Sequence, residues 1–348
     1  MGPRRTVALL LGLLVGCSGS NDPSSAGSSE TGSSATAATG ESSSTTVELG
    51  TDSTALPSSD SSSSGSGTHD ETGTGGPHSR CEGELPRWWQ DGTVCASEDP
   101  IQVHRYDDDT YILRQSLCTS YEGPFMVLLF GDDRVVLEDT GHGGIPIAQT
   151  VYGIIDDWLA ENGKTSIELV VLNSHAHGDH MQGNGSFMGQ PDTTLVPPTV
   201  AELSAYFQID PWPHDIAQLD LGGRVIDIIP IPGHQQAHIA LWDESRGLLL
   251  TGDTLYPGRL YIGAFETYVQ SIHRMVDHLA DQEVCWVLGT HIEMTSTPGV
   301  DYPFGVQQHP DEHPLELSFE HLVELRDALD AMVTPQYQVH DHFIIYPL

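Results

Sequence analysis

Ile167-Glu168-Leu169-Val170-Val171-Leu172-Asn173-Ser174-His175-Ala176-His177-Gly178-Asp179-His180 decides the fold. Its first six residues are a short, largely apolar and β-branched run, the pattern of a buried strand. Its last six hold three imidazoles and a carboxylate, groups costly to bury together as core and unneeded as surface. Metal ligation accounts for them. In extended backbone, residues two apart share a face, so His175 and His177 can meet one ion. After the turn that Gly178 permits, Asp179 and His180 can face a second ion.

A divalent ion needs more than two protein ligands. Further donors follow apolar runs elsewhere: His234 in Ile231-Pro232-Gly233-His234, Asp253 in Leu250-Thr251-Gly252-Asp253-Thr254, and His291 in Leu288-Gly289-Thr290-His291. Each should emerge from a strand end at the same rim of the molecule.

The surrounding pattern supplies that scaffold. Residues 101–106, 111–113, 125–130 and 134–138 read as strands joined by acidic turns. Ile147, Val151, Ile154, Ile155, Trp158 and Leu159 recur at helical spacing up to Asn162-Gly163. The order then repeats: strands at 225–231, 238–242 and 248–250, a helix at 269–279 with Ile272, Val276 and Leu279 on one face, a strand at 284–288, a helix marked by Phe319, Leu322, Leu325, Leu329 and Met332, and a closing strand at 343–346. Two rounds of strands then helix predict an α/β fold, a four-layer αββα sandwich of two mixed β-sheets flanked by helices.

The block His175 to His180, followed in order by Pro232-Gly233-His234, Gly252-Asp253-Thr254 and Gly289-Thr290-His291, resembles the metallo-beta-lactamase superfamily across residues 85–348. Glu138-Asp139-Thr140-Gly141 resembles the family's early strand-end motif, in which Asp139 would support the site without ligating. The resemblance implies that His175, His177 and His234 bind one ion, that Asp179, His180 and His291 bind another, and that Asp253 bridges the two. Zinc is the expected metal, and the nitrogen and oxygen donor set also suits iron or manganese. Of the other histidines, His238 reads as packing or hydrogen bonding behind the ligands. His142 reads as a solvated loop residue. His309 and His313 lie on a loop downstream of His291, where substrate contact is the lesser of two readings, and His340 and His342 alternate on the closing strand as structural residues.

The segments before the domain are of a different kind. Arg4 and Arg5 precede an apolar run that ends in Leu14-Val15-Gly16-Cys17, the pattern of a lipoprotein signal over residues 1–17. Residues 18–80 are rich in Ser, Thr, Gly and Ala and read as a disordered tether. Gly73-Thr74-Gly75-Gly76 within it lacks the strand and helix of a phosphate loop. Residues 81–348 form the domain. The expected location is outside the cytoplasm, anchored only through lipid on Cys17. Ser18, in place of an aspartate, points to the outer membrane or surface of a Gram-negative cell.

With 49 acids against 13 bases, a formal charge of −36 and Lys164 as the sole lysine, the chain is a poor partner for nucleic acid. Export permits disulfides. Cys81 with Cys95 is the pairing that their nearness suggests, and Cys285, in an apolar run, reads as a small buried side chain.

Two divalent ions sharing a water make hydroxide available near neutral pH. The expected reaction is hydrolysis of an ester, thioester, lactone or amide of a small molecule by a metal-bridging hydroxide, with Asp179 orienting it. No G-x-S-x-G elbow competes for the role. Asp253 at the bridging position directs the resemblance toward thioesterase-like and lactonase-like branches and away from true beta-lactamases. Tyr256 matches the place of a phenol that can hydrogen-bond a substrate carbonyl. Basic residues suited to a glutathione carboxylate are scarce, Arg326 being the only one after His291. A beta-lactamase, a mononuclear iron oxygenase and a non-catalytic ligand-binding domain remain as alternatives.

Overall fold

The computed structural model describes residues 81–348; the lipoprotein signal and the tether lie outside the described residues. In chain order the first half contains β1 (Ile101–Asp107), β2 (Thr110–Gln115), β3 (Phe125–Phe130), β4 (Arg134–Glu138), α1 (Ile147–Glu161), β5 (Glu168–Leu172), α2 (Gly178–Met181) and β6 (Thr193–Leu195). The second half contains α3 (Val200–Phe207), β7 (Ala217–Asp220), β8 (Val225–Pro230), β9 (Ile239–Asp243), β10 (Leu248–Gly252), β11 (Arg259–Ile262) and α4 (Phe265–Leu279). It continues with β12 (Trp286–Gly289), β13 (Glu316–Leu317), α5 (Phe319–Asp330), β14 (Gln338–Val339) and β15 (Ile344–Pro347).

One sheet runs in the order β1-β2-β3-β4-β5-β6 and a second in the order β13-β12-β10-β9-β8-β7, while β11, β15 and β14 form a small third sheet. Both large sheets are mixed, since β4 pairs parallel with β5 and β10 parallel with β12 whereas β3 with β4 and β9 with β10 are antiparallel. Successive side chains on a strand point to opposite faces, and the core divides accordingly. Ile112, Val127, Val136 and Val170 of the first sheet meet Ile228, Ile239, Leu241 and Leu250 of the second in one cluster between the sheets. Leu128, Val135, Leu137 and Val171 turn outward onto Val151, Ile155 and Trp158 of α1. Trp242, Leu249 and Val287 turn the other way onto Ile272, Val276 and Leu279 of α4 and Leu325 of α5. The layers are therefore α, β, β and α, as the sequence predicts.

Buried charge stitches the layers. Arg224, just before β8, donates to Asp243 Oδ2 from Nε (2.9 Å) and across the sheets to Asp109 O (2.7 Å), Phe130 O (3.0 Å) and Thr110 Oγ1 (2.8 Å). Arg114 of β2 holds Glu312 through two 2.6 Å bonds, which pins the long connection between β12 and β13. Breaking either buried pair leaves a charge without its partner, a change that costs about 3–5 kcal/mol.

The cysteines pair differently from the expectation. Cys81 bonds Cys285 and Cys95 bonds Cys118, each with Cα atoms 5.5 Å apart. Cys285 is thus a cross-link and not a small buried hydrophobe. It sits where its N–H bonds Gly247 O at the entrance to β12, and the start of the domain lies against that position despite a separation of 204 residues. Proximity along the chain was the wrong guide. A second correction concerns His340 and His342, which occupy the turn between β14 and β15 and not the closing strand. His340 Nδ1 contacts Glu324 Oε1 at 2.8 Å, and His342 Nδ1 contacts His313 Nε2 at 2.8 Å.

The fold fixes the rim. Parallel register pairs Glu138 with Leu172, so Asp139 and Asn173 leave the first sheet side by side. It likewise pairs Gly252 with Gly289, so Asp253 and Thr290 leave the second sheet together. Backbone bonds from Ile239 N to Ser174 O and from Phe125 N to Thr290 O, both 2.9 Å, draw the two rims into one edge.

Candidate metal centre

At that edge the residues predicted as ligands converge. Single donor atoms of His175, His177, His234 and Asp253 lie within 4.8 Å of one another, and so do those of Asp179, His180, Asp253 and His291. Asp253 belongs to both groups. Its Oδ2 stands 3.7 Å from His175 Nε2 and 3.5 Å from His234 Nε2, while its Oδ1 stands 3.4 Å from His180 Nε2 and 3.3 Å from His291 Nε2. Asp179 Oδ2 completes the second group, 3.2 Å from His180 Nε2 and 3.3 Å from His291 Nε2.

The hydrogen bonds behind the rings set their tautomers. Asp139 takes a left-handed backbone (φ 65°) and turns its carboxylate inward. Its Oδ1 accepts from Ser174 N (2.7 Å), and its Oδ2 accepts from Ser174 Oγ (2.8 Å) and His180 Nδ1 (2.7 Å). With the Ser174 hydroxyl proton so committed, His175 Nδ1 donates to Ser174 Oγ at 3.1 Å. His234 Nδ1 donates to Tyr261 O at 2.7 Å and His291 Nδ1 to Glu122 O at 2.8 Å. With Nδ1 of each engaged behind it, these four rings all aim Nε2 into the site. His177 adds Nδ1, 2.9 Å from His175 Nε2 and 3.0 Å from His234 Nε2.

The electrostatics are divided. Burial would depress His180 and His291, but the carboxylates outweigh it: Asp253, Asp139 and Asp179 hold His180 well above its ordinary value, and Asp253 and Asp179 do the same for His291. His175 goes the other way, pushed well below by burial and then by His180. Asp179, although half-buried, and Asp253, although buried, are held well below the usual carboxylate range by His180 and His291, with His175 adding to the effect on Asp253. Converging ring nitrogens and ionised carboxylates in one buried site call for positive charge among them. The donor set of imidazole and carboxylate suits a divalent ion in each group.

His238 sits behind the ligands as expected, fully buried, its ring 4.6 Å from that of His175. Gly252 must be glycine there: its φ is +52°, and a Cβ would lie 2.4 Å from His238 Nε2. His142 lies on the Gly141-to-Gly144 loop and is tied by its own N–H to Gln115 Oε1 at 2.9 Å.

The expectation that Tyr256 contacts substrate is corrected, and His309 and His313 are engaged within the protein as well. Tyr256 is 1% exposed, and its hydroxyl donates to Arg259 O with Glu293 Oε2 next nearest at 3.4 Å, so the phenol is spent inside the protein. Burial, then Glu293, keeps it well above an ordinary phenol pKa. His309 has both ring nitrogens engaged, by Glu312 Oε1 (3.0 Å) and Val306 O (3.1 Å), and stacks on Tyr302. His313 is engaged by Pro314 O (2.6 Å) and His342. Both hold the connection between β12 and β13 in place.

Asp139 and His238 apart, the residues that support the ligands escaped sequence reasoning. Ser174 and Thr290, whose Oγ1 donates to Asp253 Oδ1 at 2.6 Å, immediately precede ligands, a position that could have drawn notice. The carbonyls of Tyr261 and Glu122 leave no signal at all, because any residue supplies one.

Residues 122–291 match a family model described as the metallo-beta-lactamase superfamily. Among curated proteins, the hydroxyacylglutathione hydrolase of Methylococcus capsulatus is 33% identical over 108 residues, covering 30% of this chain and 42% of that protein. That of Bdellovibrio bacteriovorus is 26% identical over 155 residues, covering 43% of this chain and 61% of that protein. The chain spans about half the length of the curated relatives it matches. Among solved structures, a metallo-beta-lactamase from Pontibacter korlensis aligns with 67% of this chain and 100% of its own at 16% identity and a TM-score of 0.45.

Proposed function

Because the chain belongs to the metallo-beta-lactamase superfamily, we propose that it is a dinuclear zinc hydrolase that cleaves an acyl bond of a small molecule, a thioester or ester first. The observation that carries this reading is Asp253, whose two oxygens face two separate groups of donors at 3.3–3.7 Å. A second complete group supports two ions over one, and so hydrolysis over mononuclear oxidation. The relatives named hydroxyacylglutathione hydrolase support a thioester.

His175, His177 and His234 would hold one ion, Asp179, His180 and His291 the other, and Asp253 both. Bound there, two divalent ions would lower the pKa of a water and polarise a carbonyl oxygen. Asp179, kept ionised, would orient the attacking water by accepting its hydrogen bond. Asp139 and Ser174 fix the ring planes of His180 and His175, so these ligands need no reorganisation. Tyr256 takes no part.

The protein is proposed to be exported and anchored by lipid on Cys17. The sequence of residues 1–17 supports this, as do the two disulfides, which persist in oxidising compartments.

Metal analysis with a panel of thioester, ester, lactone and lactam substrates tests the reading. Two zinc per chain, turnover abolished by chelation, and loss of turnover in a folded Asp179→Ala variant are expected. One iron per chain with oxygen uptake, or turnover that survives Asp179→Ala, would contradict it.

A further inference from the structure

The backbone carbonyls that anchor the two outer histidines come from, or lie beside, aromatic residues. On one flank His291 bonds Glu122 O, and the preceding Tyr121 packs edge-on against Phe304 with ring centroids 5.4 Å apart. Phe304 is nevertheless 70% exposed. Tyr121, Glu122, Arg259, Glu293 and Phe304 line a small crevice of about 10 Å³ that includes Ile292, the residue after His291, so a substituent would pack over its aromatic rim and not inside it. On the other flank His234 bonds Tyr261 O, and the Tyr261 ring lies 5.0 Å from that of Tyr346. Both approaches to the ligands therefore present aromatic faces to solvent.

The charge left uncommitted on the His291 flank is negative. Arg259 is the pocket's only cation, and every one of its nitrogens is taken: Nη1 by Asp301 Oδ2 (2.6 Å) and Tyr302 O (2.8 Å), Nη2 by Glu293 Oε1 (3.2 Å), and Nε by Tyr261 Oη (3.1 Å). Two carboxylates face one guanidinium. Glu122, by contrast, has the Tyr121 hydroxyl as its side-chain partner and no cation among the described residues. An anionic substituent entering here would meet carboxylates and no available donor cation, in a protein whose formal charge is −36. An apolar or positively charged substituent would meet aromatic faces and negative potential, both favourable.

We propose that Tyr121 and Phe304 bind an apolar, uncharged or cationic substituent of the substrate, so that the site selects neutral and cationic acyl compounds and rejects anionic conjugates such as those of glutathione. This rests on the hydrolase reading and narrows its substrate class. Tyr121 and Phe304 are specificity-determining residues and take no part in bond cleavage.

The test measures binding, so that it does not depend on turnover. Non-hydrolysable 2-phenylethyl thioethers of glutathione (anionic), N-acetylcysteamine (neutral) and cysteamine (cationic) are titrated into the full protein by calorimetry at low salt. The neutral and cationic probes should bind at least about tenfold more tightly than the glutathione probe. Phe304→Ala should weaken the neutral probe about tenfold and Phe304→Tyr should restore it. Glu122→Gln should narrow the gap to the glutathione probe. Equal or tighter binding of the glutathione probe, no effect of Phe304→Ala, or no binding of any probe would overturn the proposal. Failure of all acyl compounds to turn over, with this binding order intact, would instead count against the hydrolase reading alone.

Discussion

His180 Nε2 and His291 Nε2 face each other at 3.3 Å, although the Nδ1 of each ring already meets an acceptor, Asp139 Oδ2 in one case and Glu122 O in the other. With Nδ1 of each ring engaged behind it, the two Nε2 atoms need a positive charge between them, a proton or a metal ion. A shared cation meets that need, and the nearby Asp179 and Asp253 carboxylates reward it.

Metal should therefore stabilise the fold. A ligand that binds only the native state at about 100 times its Kd contributes about 2.7 kcal/mol. Titration with zinc should raise the thermal midpoint by several degrees, and a chelator should reverse the shift. An unchanged midpoint would show that the convergent histidines hold no ion.

Asp139→Asn separates support from ligation. The variant keeps the volume but weakens the acceptor for His180 Nδ1 and Ser174. Zinc affinity should fall by about 10–100-fold with the circular dichroism spectrum intact. Wild-type affinity would remove Asp139 from the account.

Asp253→Ser should break the pairing of ions. Among the described residues Asp253 is the one that belongs to both groups. Metal content is expected to fall below two per chain and kcat by at least about 100-fold. Two tightly held ions in this variant would disprove the bridge.

Tyr256→Phe bears on a residue that the sequence singled out wrongly. Since the hydroxyl is consumed by Arg259 O, its removal should leave kcat/KM within about twofold and cost about 1 kcal/mol of stability, read by denaturant unfolding. A loss of a hundredfold in kcat/KM would restore Tyr256 to the chemistry.

The Asp107–Arg246 pair gives a pH signature away from the centre. Burial would raise the Asp107 carboxyl, but Arg246, 2.6 Å away, and the Asp109 N–H hold it below its ordinary value. A depressed folded pKa contributes stability above about pH 4 that is lost as the pH falls through the folded value. Asp107→Asn should therefore destabilise the protein at pH 7 and have a smaller effect near pH 2; equal effects at both would refute the linkage.

Much of this was legible because the chemistry is local where it matters most. His175, His177, Asp179 and His180 fall within six residues after an apolar strand, and His234, Asp253 and His291 each follow one, so strand ends could be read as ligand positions. The four layers followed from the same runs. Elements with little apolar pattern were not legible: β7 buries only Leu219 fully, and α3 only Leu203. Thr199, which caps α3 by accepting from Glu202 N at 3.2 Å, was the available clue. Side-chain direction was equally hidden. Nothing in the spacing of Tyr256 tells that its hydroxyl turns to Arg259 O, and nothing near Cys81 tells that Cys285 lies beside it. Phe304 and Tyr121 meet through loops 183 positions apart, beyond any local pattern.

The central claim is two ions joined by one carboxylate. Anomalous diffraction at the zinc edge, on crystals of the protein grown with zinc, tests it most directly. Two peaks are predicted, one among His175, His177 and His234, the other among Asp179, His180 and His291, with an oxygen of Asp253 on each. A single peak, or a second ion that does not touch Asp253, would contradict it.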